Sequence, residues 1–336
     1  MKKLFALLVL VSAGLIATSY AAEPITLKFS TVLPAPAPPV TKSLEPWGKM
    51  VEKASEGTLK IDIFPGGVLG HSMRMYFQQM ESGVFDIALI YPTYFGNRFP
   101  ETELFFLPFL ADTYMEGSLG AQTLFDKGYF SGFENYKVLT LVATSPFYIA
   151  TTFPARTPKD LKGHKFRSGS KIQAELIAQL GMTPIGMPSN EAAEGLARGV
   201  IEGSLGDPVN LQSFRMADAA RNLITVPMGN FTLLIAMNKK KYQSLPPKAK
   251  EAIDKHKGLW LARFWAETNA AGNDRLMEAW KKDPTRTIVV PTKEELAQWK
   301  AVLQPVTDKW VKEKPGREKL FKAFVEEVAR IKAAGE

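Results

Sequence analysis

From Ile25 to Val32 (ITLKFSTV) apolar and polar residues alternate in β-favouring types, which predicts a strand at the start of the fold. Pro34, Pro36, Pro38 and Pro39 come next and predict an extended loop with no helix, because proline lacks an N–H and disfavours helical backbone before it. Leu44, Trp47, Met50 and Val51 then recur on one face of a helix that ends at Gly57. Leu59 to Phe64 (LKIDIF) is a second strand, stopped by Pro65-Gly66-Gly67. A helix from about Ser72 to Ser82 leads through Gly83 into Phe85 to Tyr91, an apolar run of the kind buried on both faces of a parallel sheet. Tyr94, Phe95, Phe99, Phe105, Phe106 and Phe109 crowd the following loop region and are expected mostly in the core.

After a helical segment near Gly117 to Asp126, Tyr136 to Ala143 reads as a strand and Phe147 to Thr152 as extended chain. Leu161 to Gly203 then reads as strand, helix, strand, helix, strand. Thr225 to Val226 and Thr232 to Met237 carry strand character, and Ser244-Leu245-Pro246-Pro247 opens a helix with proline in its first turn. From Pro247 to Lys281 there is no proline and only Gly258 and Gly272, so a single helix is predicted, about 50 Å long by its rise per residue and able to lie across two domains. A late strand, Thr287 to Val290, and two amphipathic helices starting at Lys293 and Arg317 close the chain. Ser82-Gly83-Val84-Phe85-Asp86 and Arg198-Gly199-Val200-Ile201-Glu202 share one pattern: helix end, glycine, valine, bulky apolar residue, acid. The echo points to two similar βα lobes, an architecture whose usual motion is hinge closure over a cleft.

Composition narrows this reading. The 336 residues allow two ordinary domains or one large one, and 46% apolar with 23% charged residues is the balance of a globular protein. Lys2 and Lys3, the apolar run Leu4 to Ile16 and the small residues of Ser19-Tyr20-Ala21 predict a signal peptide cleaved after Ala21 or Ala22, and hence an exported, soluble product. The absence of cysteine removes thiol catalysis, disulfides and cysteine metal sites together. Lys and Arg are scattered apart from Lys239-Lys240-Lys241, read as a solvated turn. With no basic stripe interleaved with aromatics, nucleic acid is not an expected partner.

One residue stands out chemically. Arg167 sits where the first strand of Leu161 to Gly203 runs into a Ser-Gly-Ser turn, and open α/β sheets bind ligands at the carboxyl ends of their strands. Its guanidinium is permanently charged and can fork onto a carboxylate. The other reading is a surface arginine paired with Glu175 or left in water. Signs of catalysis are few. His71, His164 and His256 lack metal-ligand spacing, no G-x-S-x-G elbow occurs, and Gly66-Gly67-Val68-Leu69-Gly70 lacks the order of a phosphate loop. Glu101 with Glu103 and Glu191 with Glu194 have no distinguishing context, so no catalytic residue, metal or cofactor is assigned. An exported carboxylate-acting enzyme stays open as an alternative and would need one acid with a raised pKa.

Several segments in order resemble the periplasmic solute-binding proteins of tripartite ATP-independent periplasmic (TRAP) transporters, the DctP-like family. They are Glu56-Gly57-Thr58-Leu59-Lys60-Ile61, Phe64 to Gly70, Ser82 to Ala88, Arg98-Phe99-Pro100, Leu107-Pro108-Phe109, Leu196 to Gly203 and Met237 to Pro246. The most specific is Thr157 to Arg167 (TPKDLKGHKFR), which resembles the family's tPxDlkGxKiR run ending in its signature arginine. The resemblance implies a two-lobed α/β periplasmic binding protein with a long helix crossing both lobes. Lobe I would be 22–145 plus 233–273 and lobe II 146–232 plus 274–336, after a signal peptide at 1–21. It further implies a periplasmic protein that is no enzyme, that holds a small carboxylate on Arg167 and that delivers it to the small and large TRAP membrane subunits. Family members often carry a second arginine where this chain has Tyr148, so a single carboxylate is favoured over two. Asp207 and Asn210 fall in a loop where the family often contacts ligand, although Asp207 before Pro208 also suits a turn. Phe231 is a stacking candidate or core filler, Tyr94 and Met187 are further wall candidates, and Ser189 reads as a helix N-cap. A sensor binder on the same fold is the remaining alternative.

Overall fold

The computed structural model of the chain describes residues 23–70 and 72–335. The expected signal peptide with its cleavage site, and His71, lie outside the described residues. In chain order the elements are β1 (Ile25–Ser30), α1 (Glu45–Ala54), β2 (Leu59–Phe64), α2 (Tyr76–Glu81), β3 (Ile87–Ile90), α3 (Tyr114–Asp126), β4 (Tyr136–Pro146), β5 (Tyr148–Thr151), β6 (Lys165–Ser168) and α4 (Lys171–Gln179). There follow β7 (Thr183–Gly186), α5 (Ser189–Ala197), β8 (Gly203–Gly206), α6 (Pro208–Ser213), β9 (Asn222–Ile224), β10 (Asn230–Asn238), α7 (Lys239–Ser244), α8 (Pro247–Lys255), α9 (Leu259–Lys282), β11 (Thr287–Val289), α10 (Lys293–Glu313) and α11 (Arg317–Ala333).

Two sheets organise these elements. The first has the order β2-β1-β3-β10-β4 and the second β11-β9-β5-β8-β6-β7. In the first, β1 runs parallel to β2 and β3, while β10 lies antiparallel between β3 and β4. The four residues of β3 are all buried, as expected of a strand covered on both faces. In the second, β6 is parallel to β7 and β8, and β5 is antiparallel to β8 and β9.

The internal echo has a structural counterpart. Gly83 and Gly199 both take positive φ, at 80° and 69°, after a helix end. Val84 and Val200 face outward, while Phe85 and Ile201 are fully buried. Asp86 accepts from the Lys28 N–H on β1 at 2.9 Å, and Glu202 accepts from the Lys165 N–H on β6 at 3.0 Å. Each sheet therefore ties its parallel pair, β1–β3 or β6–β8, with the same acid-to-backbone bond.

Several local expectations are corrected. Pro39 opens a helical segment, Pro39–Leu44, that runs straight into α1, because a first-turn proline gives up only an N–H that has no helical partner. Lys239-Lys240-Lys241 lies in a short helix, α7, nucleated by Asn238, whose side chain accepts the Lys241 N–H at 3.0 Å. Thr225 and Val226 fall outside β9, with Thr225 still donating to the Val289 carbonyl at 3.0 Å. Ser189 is the first residue of α5 and not its cap, a place taken by Pro188. The single helix expected from Pro247 to Lys281 is two helices. Gly258, at φ 63° and ψ −139°, breaks it, and its N–H donates to the Leu139 carbonyl of β4 at 2.6 Å.

Beyond that break, α9 continues for 24 residues, about 36 Å by rise per residue. It packs on α3 and β4 beside the first sheet and on α6 and β11 of the second. Its apolar stripe (Leu261, Ala262, Trp265, Ala266) carries two buried polar residues, Asn269 and Asn273. The C-terminal hairpin also touches both halves. Phe324 of α11 packs on Phe105 and beside Gly120 of α3, while α10 lies on α4, where Lys171 pairs with Glu313 at 3.1 Å.

Candidate ligand cleft

Arg167 is placed by β6, which is paired between β7 and β8 and ends in the turn Ser168-Gly169-Ser170. Ser170 caps α4 by accepting the Gln173 N–H at 3.1 Å, and Gln173 in turn accepts the Gly169 N–H at 2.8 Å. The turn must hug the arginine, since a Cβ on Gly169 would lie 2.7 Å from Arg167 Nη2. The side chain is fully buried. Nε donates to the Met187 carbonyl at 2.9 Å and Nη2 to the Tyr94 hydroxyl at 3.1 Å. Nη1 is sealed from solvent and has no hydrogen-bond partner. Glu175 does not pair with Arg167: it faces Lys309 at 2.9 Å and Lys171 at 3.8 Å on the outside of α4. A buried guanidinium with no anion beside it is costly.

Tyr94 comes from the loop after β3 in the other half, so the Arg167–Tyr94 bond spans the two sheets. The cleft between them is about 940 Å³. Its lining comes from segments after strands of both sheets: Val32, Arg74 and Tyr94 on one side, Ser168, Gly186 and Met187 on the other. That is the carboxyl-end crevice typical of open α/β sheets. Two of its lining residues, Tyr91 and Tyr94, belong to an aromatic cluster. Tyr91 stacks on Tyr94 with centroids 5.6 Å apart, Phe231 meets Tyr91 edge-on at 5.3 Å, and Phe147 stacks behind Phe231 at 5.6 Å.

Tyr91 also borders a second, interior chamber with Phe231, Tyr114, Asp207, Asn210 and Trp265 around it. Asp207 is fully buried. It caps α6 by accepting the Asn210 N–H at 2.6 Å and accepts the Tyr114 hydroxyl at 2.8 Å. Burial raises its pKa to about 6 against the lowering effect of these bonds. Burial also pushes the Tyr114 hydroxyl well above its usual range, with the Asp207 charge adding to it.

Five of the seven candidate residues line these two spaces, which share Tyr91 as a wall. Tyr94 and Met187 line the cleft and hold the guanidinium of Arg167, which is buried just behind it. Asp207, Asn210 and Phe231 line the chamber. Asp207 thus fills the turn-capping role and faces a cavity at once. Tyr148 is apart: it is half-buried on β5 opposite Gly206 and lines neither space. Sequence reasoning missed Tyr91, Tyr114, Trp265 and Asn269. The one visible signal was an asparagine four residues after a tryptophan on an otherwise apolar helix stripe. Among the described residues no cluster of metal-binding side chains occurs, and no helix is long and apolar enough to cross a membrane.

Comparison with known proteins agrees in kind. The family described as bacterial extracellular solute-binding protein, family 7 (DctP), matches residues 29–314. The C4-dicarboxylate-binding periplasmic protein DctP of Rhodobacter capsulatus is 25% identical over 93% of this chain and 92% of its own length. A marine metagenome TRAP solute-binding protein specific for aromatic acid ligands, solved with metahydroxyphenylacetate, superposes with a TM-score of 0.86 at 28% identity, over 91% of this chain and 99% of that one. A TRAP solute-binding protein from Rhodoferax ferrireducens, solved with copurified benzoate, gives 0.87 at 25% identity, over 93% and 100%.

Proposed function

The chain belongs to the family 7 bacterial extracellular solute-binding proteins, the periplasmic binding components of TRAP transporters, and from that premise we propose that it captures a small aromatic monocarboxylate and hands it to a TRAP membrane permease. The observation that carries this reading is the buried Arg167 with its unpartnered Nη1. The ligand carboxylate takes that nitrogen, and Met187 and Tyr94 keep the guanidinium aimed at it. Tyr91, Tyr94 and Phe231 supply ring faces and edges for an aromatic body. In this reading the lobes are 22–145 plus 233–273 and 146–232 plus 274–336, and they part to admit the ligand. The aromatic acids held by the two solved relatives support the choice of ligand class.

An ionic hydrogen-bonded contact of this kind contributes roughly 1.5–3 kcal/mol, while micromolar binding needs about 8 kcal/mol. Ring burial against the aromatic cluster must therefore supply the larger part. The test is a thermal-shift screen with benzoates, phenylacetates, aliphatic acids, dicarboxylates, amino acids and neutral sugars. Aromatic monocarboxylates should stabilise the protein most, and Arg167→Ala should abolish the effect. Stabilisation by amino acids or neutral sugars alone, unchanged in Arg167→Ala, would sink the reading.

A further inference from the structure

The interior chamber holds polar atoms whose needs are one-sided. Trp265 is 1% exposed, and its Nε1–H lacks an acceptor. Asn269, one turn along α9, spends its amide nitrogen on the Ser43 hydroxyl at 3.0 Å and the Trp265 carbonyl at 2.8 Å. This fixes its orientation and leaves its Oδ1 without a donor. Asn210 Oδ1, beside Asp207, is likewise buried and unpartnered. One donor, two acceptors and the equally unpartnered Ser213 hydroxyl, which can do either, thus border the same space, and buried polar atoms of this kind are normally satisfied.

We propose that this chamber is a hydroxyl subsite: the bound aromatic acid carries a hydroxyl at its end remote from the carboxylate, accepting from Trp265 Nε1–H and donating to Asn210 or Asn269. The chemistry excludes the neighbouring choices. A second carboxylate only accepts, would stand beside the buried Asp207, and would meet no lysine or arginine among the lining side chains. An ammonium only donates and leaves Trp265 unanswered. A methyl or chloro group satisfies none of these groups. The free space of about 30 Å³ suits a single small substituent, while the ring lies toward the cleft along Tyr91, which borders both spaces. The inference rests on the aromatic-acid reading and deepens it.

The experiment measures dissociation constants by titration calorimetry for benzoate, phenylacetate, their ortho-, meta- and para-hydroxy isomers and the matching dicarboxylates. The wild type should bind at least one hydroxy isomer about 10-fold or more tighter than its parent acid, and no dicarboxylate better than the parent. In Trp265→Phe and Asn210→Ala the hydroxy acid should lose more affinity than its parent, so that the preference falls below about 3-fold. Should Trp265→Phe fail to fold, Asn210→Ala carries the comparison by itself. Equal affinity of parent and hydroxy acids in the wild type, as when an ordered water fills the chamber, overturns the subsite and leaves the aromatic-acid reading standing. So does a preference that survives in both variants. Failure of every acid to bind overturns both.

Discussion

Replacing Arg167 by methionine separates a binding arginine from a structural one. Without ligand two effects oppose. The variant loses the bonds to the Met187 carbonyl and the Tyr94 hydroxyl, of which the half-buried tyrosine can turn to water. It also removes a fully buried charge with no anion beside it, whose desolvation is worth several kcal/mol. The unliganded variant should therefore be as stable as the wild type or more so. With ligand, losing one partner of a buried charged pair should weaken binding by about 2–5 kcal/mol, roughly 30- to 4,000-fold. Urea unfolding with and without acid reads both effects. At 100 times the wild-type dissociation constant the ligand adds about 2.7 kcal/mol to the wild type, and even a 30-fold weaker variant keeps only about 0.9 kcal/mol. If the variant lost about 3 kcal/mol or more of unliganded stability and kept its affinity, Arg167 would be a structural residue and the argument from its unpartnered nitrogen would fail.

Three further substitutions test the framework. Asp207 has a folded pKa raised by burial to about 6, so its folded form prefers the proton, and the stability it contributes is present near pH 4 and lost as pH rises through 6. Asp207→Asn should flatten that slope, and the difference between wild type and variant, followed by urea titration, should change by about 2 kcal/mol between pH 4 and pH 7. Gly229 has φ +88°, and a Cβ there would lie 2.4 Å from the Phe106 carbonyl oxygen, so Gly229→Ala should lower stability by about 2–5 kcal/mol in chemical denaturation. Gly258 has a comparable backbone problem but open space, its nearest neighbour being Gln122 Nε2 at 4.0 Å. Gly258→Ala should therefore cost only the backbone strain, about 1–3 kcal/mol, and a larger loss would mean that the helix break tolerates no adjustment.

Where local chemistry decided the outcome, the sequence could be read. The strand, turn and capped helix around Arg167 are consecutive and were legible for that reason, and Gly83 and Gly199 mark matching helix ends because φ near +70–80° needs glycine. Where a distant partner decided, reading failed. Gly258 looked like a tolerated glycine in a long helix, yet its N–H is claimed by Leu139, 119 positions earlier. Trp265 and Asn269 border a chamber only because Pro39, Asp207 and Phe231, distant in sequence, close around them. Tyr148 was aligned with a binding position, but its place on β5 opposite Gly206 leaves it outside both spaces.

The order of strands in the first sheet has a consequence for how the chain assembles. Its strands β3 and β4 are not paired with each other; β10, more than eighty residues beyond β4, lies between them. Five of the six strands of the second sheet, by contrast, come from the single stretch 148–224. That inner stretch can collapse first, and its collapse draws its own two ends together. The Phe147 N–H then reaches the Gly229 carbonyl at 2.7 Å, and the Met228 N–H the Phe147 carbonyl at 2.9 Å. Those two bonds stand directly before the register that seats Asn230 opposite Pro146. The inner unit thus shortens the loop that the outer sheet must close, and it relieves the entropy of joining segments so far apart in sequence. The protein is nested: its second lobe is the clasp that lets its first lobe shut.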